Sequence, residues 1–249
     1  MSPPINLDGD TVDAITMDGD SVGEVTVDGS TVFNDSLVPD AADLHSNHDV
    51  NALSASDGDS ITTLPDQTGN GFDLSAESTN SSTYDADLIN GNPGLDMPSG
   101  SQLYETATDL AQPVTIFFVG AVNSTGGSND QVIEGGAGDA LGTGQLTEKV
   151  GDFKLLAGNF PSATTSDTNL HIFSMLFNGS NSVLRIDGTE FSPLDAGTNN
   201  IFQLGLNGEA SESRSPGIKA GQMLTYPQDK SGIFGTVESY LSDKWAISV

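Results

Sequence analysis

The chain has 249 residues, enough for one large β-domain or two ordinary ones, and sets 35 acidic residues against 7 Lys and Arg, a formal net charge of -28. That balance leaves no basic stripe to meet phosphates and argues against nucleic acid as a partner. There is no cysteine, so no disulfide framework or thiolate metal site, and the most apolar stretch, residues 114–119, is too short to span a bilayer by insertion.

Self-repulsion of this size weakens a compact state in dilute buffer. At ~1 M salt the Debye length falls to about 3 Å and most of the repulsion vanishes. Lysine is scarce throughout rather than missing from one patch, so the composition reads as adaptation to a very salty interior. The alternative is an acidic, calcium-rich extracellular protein. The opening "MSPPINLDGD" has neither a basic region nor an apolar core and does not read as a secretory signal. Four Asn-x-Ser/Thr sequons, at Asn34, Asn80, Asn123 and Asn178, are what chance gives in a chain so rich in these residues.

Residues 5–33 repeat a ten-residue pattern three times, with Asp8-Gly9, Asp18-Gly19 and Asp28-Gly29 between short apolar alternations. Asp-Gly suits a type I′ turn, which needs positive φ at both central residues. The predicted hairpins set Leu7 opposite Asp10, Ile5 opposite Val12, Ile15 opposite Val22 and Val25 opposite Val32. The single apolar face of this arm, residues 1–36, is too small to offset the cost of ordering it. It is expected to rest on copies of itself, on the main domain or on a larger assembly.

From residue 37 the chain alternates turn-rich stretches with strand-length apolar ones. "VTIFFVGAV" (114–122) reads as a strand covered on both faces. "HIFSMLFNGSNSVLRIDG" (171–188) reads as two strands, with Phe173, Met175 and Phe177 on one face and Leu184 and Ile186 on a face of the return strand. "IFQLGLNG" (201–208) is a further strand candidate. Helical spacing links Ile233, Val237, Tyr240, Leu241 and Trp245, after Asp229 or Ser231 as N-cap. Residues 37–249 are predicted to form one all-β sandwich with a short C-terminal helix.

Four segments carry a resemblance. "DGDSITTLPDQTGNGFDL" (57–74), "LINGNPGLDM" (88–97), "HIFSMLFNGSNSVLRIDGTEF" and "GIKAGQMLTYPQDKSGIFGTVESYLSDKWAI" (217–247) follow in the order found in concanavalin A-like, laminin-G-type jelly rolls of phage and bacterial surface proteins. Leu64 stands where that family usually has Trp. The resemblance implies a jelly-roll sandwich, a fold that hosts glycanases, lectins and plain spacers. The repeat arm resembles short N-terminal modules of tailed-virus structural proteins.

Glycanases of this fold hydrolyse with paired carboxylates in an ExDxE strand, and no such motif is present. Glu209 and Glu212 fall in a loop-like stretch, and no catalytic residue is assigned. His45 and His48, three apart, would come together on a helix, but without a third clustered ligand they read as surface imidazoles. Asp57, Asp59, Asp66, Asn70 and Asp73 offer hard oxygens on Gly-rich turns, the chemistry of Ca2+ or another hard cation. Ordinary Asx turns that hold hydration water account for them better. Tyr104, Phe160, Arg214 and Tyr226, near turn residues, are the candidates for a glycan rim.

Together these features predict a virion surface protein of a tailed virus from a halophilic archaeal host, made in the cytoplasm: a capsid-vertex turret, a decoration protein or a fibre. The arm would attach it as a pentamer or trimer to other virion proteins, and the sandwich would meet host surface glycoprotein or glycans. A carbohydrate-active enzyme and a cellular adhesin are the alternatives.

Overall fold

The computed structural model describes residues 38–76, 81–106, 108–127, 130–136, 145–208 and 214–249, and the backbone of four short strands nearer the N-terminus. The chain divides into two compact units, Met1–Ala41 and Ala42–Val249. In the first, Asn6–Leu7 pairs antiparallel with Asp10–Thr11, with Leu7 opposite Asp10 as predicted. Val25–Val27 pairs with Ser30–Phe33, but an irregularity after Val25 sets it opposite Phe33 rather than Val32. The middle hairpin, residues 15–22, lies outside the described residues.

The second unit is an all-β sandwich of two antiparallel sheets with one short C-terminal helix, as the sequence predicts. One sheet runs, in spatial order, Thr189–Leu194, Ser182–Ile186, His171–Phe177, Val114–Val122, Ile218–Tyr226, Asn92–Met97, Ser82–Ile89 and Ser60–Ile61. Its ninth strand, Ser46–Asp49, also pairs with Ile218–Tyr226. The other sheet runs Ser162–Thr165, Asp152–Leu156, Gln145–Lys149, Asp130–Glu134, Gly205–Leu206, Leu103–Tyr104, Leu74–Ala76 and Thr63–Leu64. Between them lies the core, including Ile116, Phe118, Phe173 and Met175 from the first sheet and Ile133, Leu146, Phe153 and Leu206 from the second.

Strand alternation sends every second side chain of the first sheet the other way. There Phe117 stands edge-on to Tyr226 and to Phe234, at 6.0 and 5.6 Å between ring centres. The helix Phe234–Trp245 covers this outer face with Phe234, Val237, Leu241 and Trp245, all buried. Trp245 packs against Gly221, where a Cβ would come within 3.0 Å of the indole, and its Nε1 donates to Gln222 Oε1 at 3.1 Å. Covered on both sides, Val114–Val122 is buried at all nine positions.

Two expectations need correction. The helix begins at Phe234, after a 3-10 turn, Ser231–Ile233, whose N-cap is Lys230; Asp229, one residue earlier, accepts from Ser231 N at 3.0 Å. Of residues 201–208 only Gly205–Leu206 is strand. Asn207 ends it: its φ is +66°, and its Nδ2 donates to the carbonyls of Met97, Pro98 and Ser101.

The helix is also held by charge. Glu238, 2% exposed, accepts from Ser174 Oγ at 2.8 Å and pairs with Arg185 at 3.0 Å. Removing one partner of a buried pair strands the other charge, at roughly 3–5 kcal/mol. Because the Arg185 side chain is 21% exposed, Glu238→Ala is expected at the lower end, about 3 kcal/mol. Urea denaturation followed by Trp245 emission in molar salt checks this; an unchanged midpoint contradicts it.

Candidate functional site

The outer face of the eight-stranded sheet is of a different character. Leu146 and Leu155 point into the core, so alternation turns Gln145, Thr147, Lys149 and Lys154 outward. Register places Gln131 and Lys154 on either side of Thr147. Gly205 lies between Glu134 and Tyr104. Its missing side chain admits the Tyr104 ring, which a Cβ there would meet at 2.3 Å, and Tyr104 Oη donates to the Gly208 carbonyl.

The result is a belt of polar side chains crossing adjacent strands. Tyr104, Gln131, Glu134, Gln145 and Thr147 are all buried. Gln145 Nε2 lies 2.8 and 2.7 Å from the two Glu134 carboxylate oxygens. Among the described residues, both polar atoms of the Gln131 amide, Gln145 Oε1 and Thr147 Oγ1 find no hydrogen-bond partner. A dry, unpaired polar group costs about 1–3 kcal/mol, so several together mark a place where water or a guest supplies the missing bonds. Amide and hydroxyl groups both donate and accept, which matches water or a ligand hydroxyl better than a fixed charge.

Three of the four glycan candidates stand at this belt. Tyr104 is part of it. Arg214, half-buried, borders it through its carbonyl, which accepts from Gln131 N at 2.9 Å. Phe160 is 42% exposed, and Lys149 holds its ammonium 4.4 Å from the ring centre. Tyr226 does not join them: it is fully buried on the other sheet, beneath the helix and beside Phe117. Gln131, Gln145, Thr147 and Glu134 escaped the sequence reading, which searched for aromatic and charged residues at turns. The alternation in "QLTEKVGDFKLL" held the signal for two of them. Glu209 and Glu212 lie outside the described residues.

The predicted cation ligands fall in two places. Asp57 accepts from Ala86 N at 3.1 Å and Asp59 from Ser56 N at 2.8 Å. Asp66, Asn70 and Asp73 knot a separate loop. Asp66 accepts from Asn47 N, Thr68 N and Thr68 Oγ1, Asp73 from Asp66 N, and Asn70 Nδ2 donates to the carbonyls of Leu44 and His45. Burial opposes ionisation of Asp66, but the bonds from Thr68, Asn47 and Phe72 outweigh it and hold its carboxyl below the usual range. Asp66 is thus committed to N–H and O–H donors of its own loop, whereas Asp57, Asp59 and Asp73 each accept a single backbone N–H. Among the described residues no group of three or more His, Asp or Glu forms a metal site.

Across adjacent strands Asp130 stands opposite Glu148. Burial and the neighbouring Glu148 push the Asp130 carboxyl up. Glu148 shares the inward side of Leu146 and binds loops, accepting from Gly126 N, Gly127 N, Gly151 N and Ser166 Oγ.

No protein-family model and no curated protein matches the chain. Solved structures do. The binding domain of Paraclostridial Mosquitocidal Protein 1 is 13% identical with a TM-score of 0.58, over 82% of this chain and 53% of that one. A GH54 α-L-arabinofuranosidase is 12% identical with a TM-score of 0.57, over 75% and 51%. Domain 4 of AbnA, a GH43 extracellular arabinanase from Geobacillus stearothermophilus solved with arabinotriose, is 9% identical with a TM-score of 0.51, over 74% and 91%. This chain thus spans about half the length of the first two. Such likenesses establish the fold, an all-β sandwich.

His45 and His48 are neither surface groups nor helical. They flank the start of Ser46–Asp49 and are buried around Glu105. His45 Nε2 lies 3.1 Å from Glu105 Oε2, Ser46 Oγ donates to Oε1 at 2.8 Å, and His48 Nε2 lies 2.8 Å from the Phe72 carbonyl. Burial pushes the His48 imidazole below its ordinary value of 6.5, against the pull of Glu105. With the folded value below the unfolded one, the His48 contribution to stability is complete above pH 6.5 and is lost as the pH falls. Between about pH 7.5 and 5.5 the melting temperature should therefore fall more steeply for the parent than for His48→Gln. Parallel curves would exclude His48 as a source of acid sensitivity.

Proposed function

We propose that this chain is a surface protein of a tailed-virus particle from a salt-rich archaeal host, and that its sandwich holds host glycans through the polar belt. One observation carries the binding half: among the described residues the Gln131 amide, Gln145 Oε1 and Thr147 Oγ1 are buried donors and acceptors left unmatched side by side. Sugar hydroxyls donate and accept at once and complement such groups. Phe160 adds an exposed aromatic platform at the margin. The arabinotriose bound to the arabinanase domain of similar fold lends support to a saccharide ligand. The virion half rests on the sequence: the charge of -28 suits molar salt, and the decapeptide repeat suits an arm that assembles. Binding without hydrolysis is favoured because Glu134 is the one buried carboxylate on the described outer face, whereas glycoside hydrolysis takes two.

Titration calorimetry in molar salt with neutral glycans released from a halophilic envelope tests this reading. Gln131→Leu with Thr147→Val should cost at least about tenfold in affinity, equivalent to one lost bond of ~1.4 kcal/mol. The same pair should leave the melting temperature equal or higher, since unmatched buried polar groups are replaced by apolar ones. A chain lacking residues 1–36 should bind as a monomer, more weakly than the assembled full chain on a glycan-coated surface. Unchanged affinity in the double variant contradicts the belt, and release of glycan fragments would make the protein an enzyme.

A further inference from the structure

The outermost strands of the two sheets, Ser162–Thr165 and Thr189–Leu194, border a recess at the sandwich edge. It is a cleft of about 240 Å³, lined by Phe153, Thr164, Asp167, His171, Asp187 and Phe191 among others. Nothing in the belt reaches it, because Phe153 is an inward, core residue.

Its floor is set before any guest arrives. Asp187 and Gly188 both have positive φ, +48° and +74°, the conformation of a type I′ turn, between Ser182–Ile186 and Thr189–Leu194. From that turn Asp187 Oδ1 accepts from Ile172 N at 2.8 Å and Oδ2 lies 2.6 Å from His171 Nδ1. Asp167 Oδ1 lies 3.0 Å from His171 Nε2 and accepts from Asn169 N at 2.7 Å. Both ring nitrogens thus face carboxylates, the arrangement of an imidazolium. Burial opposes that charge, but Asp187 and Asp167 outweigh it and raise the His171 value. The ring stands edge-on to Phe153 and Phe173, at 6.3 and 5.6 Å between centres. Glu148, by accepting from Ser166 Oγ at 2.9 Å, fixes the residue next to Asp167.

What remains for a guest is specific. The second oxygen of Asp167 is an acceptor, and Thr164, opposite the inward Phe153, and Thr189 are among the residues of the lining. Phe191, half-buried, gives apolar surface, and the buried Phe153 ring closes the inner end of the lining. One imidazolium and two carboxylates sum to a single negative charge, within a chain of -28, so an anionic guest is repelled. The volume is below the ~300–1,000 Å³ of pockets for drug-sized ligands, so the guest is one ring rather than a chain. Because His171 already immobilises both carboxylates, little side-chain freedom is lost on binding.

We infer that this edge cleft binds a single neutral pyranose unit, its apolar face on Phe191 and its hydroxyls on Asp167, Thr164 and Thr189. The site is separate from the belt and stands or falls independently of it.

His171 supplies the reporter. The chain has three histidines, and the other two are buried around Glu105. In molar salt the full-length protein is titrated with methyl glucoside, methyl galactoside, methyl mannoside, glucuronate and methylammonium, while the His171 ring signals are followed by NMR. At least one neutral hexoside should give saturable shifts with affinity on the order of millimolar. Glucuronate should bind at least tenfold more weakly. Asp167→Asn and, separately, Thr164→Val should each weaken the hexoside at least about threefold, whereas Gln131→Leu with Thr147→Val should leave it unchanged. Thr164→Val keeps the side-chain shape, so its result stands even if Asp167→Asn disturbs the loop. The inference is overturned if no hexoside gives saturable shifts, if Thr164→Val binds as the parent does, or if methylammonium binds as tightly as the sugars.

Discussion

Two neighbouring strands, Val114–Val122 and Ile218–Tyr226, lie at the centre of the nine-stranded sheet with core on one side and helix on the other. At these two strands the sheet is dry on both faces and offers a ligand no surface. The helix stripe of Phe234, Val237, Leu241 and Trp245 imposes this condition, and the contact of Trp245 with Gly221 fixes how closely helix and sheet approach. Polar recognition is thereby displaced to the other sheet and to the sandwich edge. Tyr226 illustrates the consequence: an aromatic near a turn in sequence becomes a core residue because its strand is central.

The acidic side chains divide by length. Among the described residues Glu105, Glu134, Glu148 and Glu238 are buried, whereas Asp66 is the one buried aspartate. Each buried glutamate reaches donors that an aspartate at the same position would miss: His45 and Ser46, Gln145, three loop N–H groups and Ser166, or Ser174 and Arg185. Salt screens the exposed aspartates strongly and buried groups little. The surface charge therefore answers to the medium, while the internal carboxylates hold loops and helix in place at any ionic strength.

Much of the sandwich was legible. The unbroken apolar run at 114–122, the alternation in 171–188 and the stripe at 233–245 each reflect burial that one residue type can report. The Leu7–Asp10 register followed from Asp-Gly chemistry, while the shift after Val25 had no sequence marker. The belt was obscured for a physical reason. Gln and Thr on an outward strand face read as solvated, and the irregularity between Gln131 and Ile133 breaks the alternation that would have placed Glu134. The edge cleft was likewise hidden, because Asp167, His171 and Asp187 meet only after a turn and a strand pairing bring them together. Glu238 looked like one more exposed acid of a salt-adapted chain until Arg185 and Ser174 were placed beside it.

The central claim is that the belt on the eight-stranded sheet is a hydrated recess that sugar hydroxyls enter. A high-resolution crystal structure grown in molar salt, without and with the neutral glycan, tests it most directly. The account predicts ordered water within hydrogen-bond distance of Gln131, Gln145 Oε1 and Thr147 Oγ1 in the free protein, and ligand hydroxyls in those places in the complex. It is contradicted if those atoms are paired with other groups of the chain, or if the glycan binds elsewhere and leaves the belt waters in place.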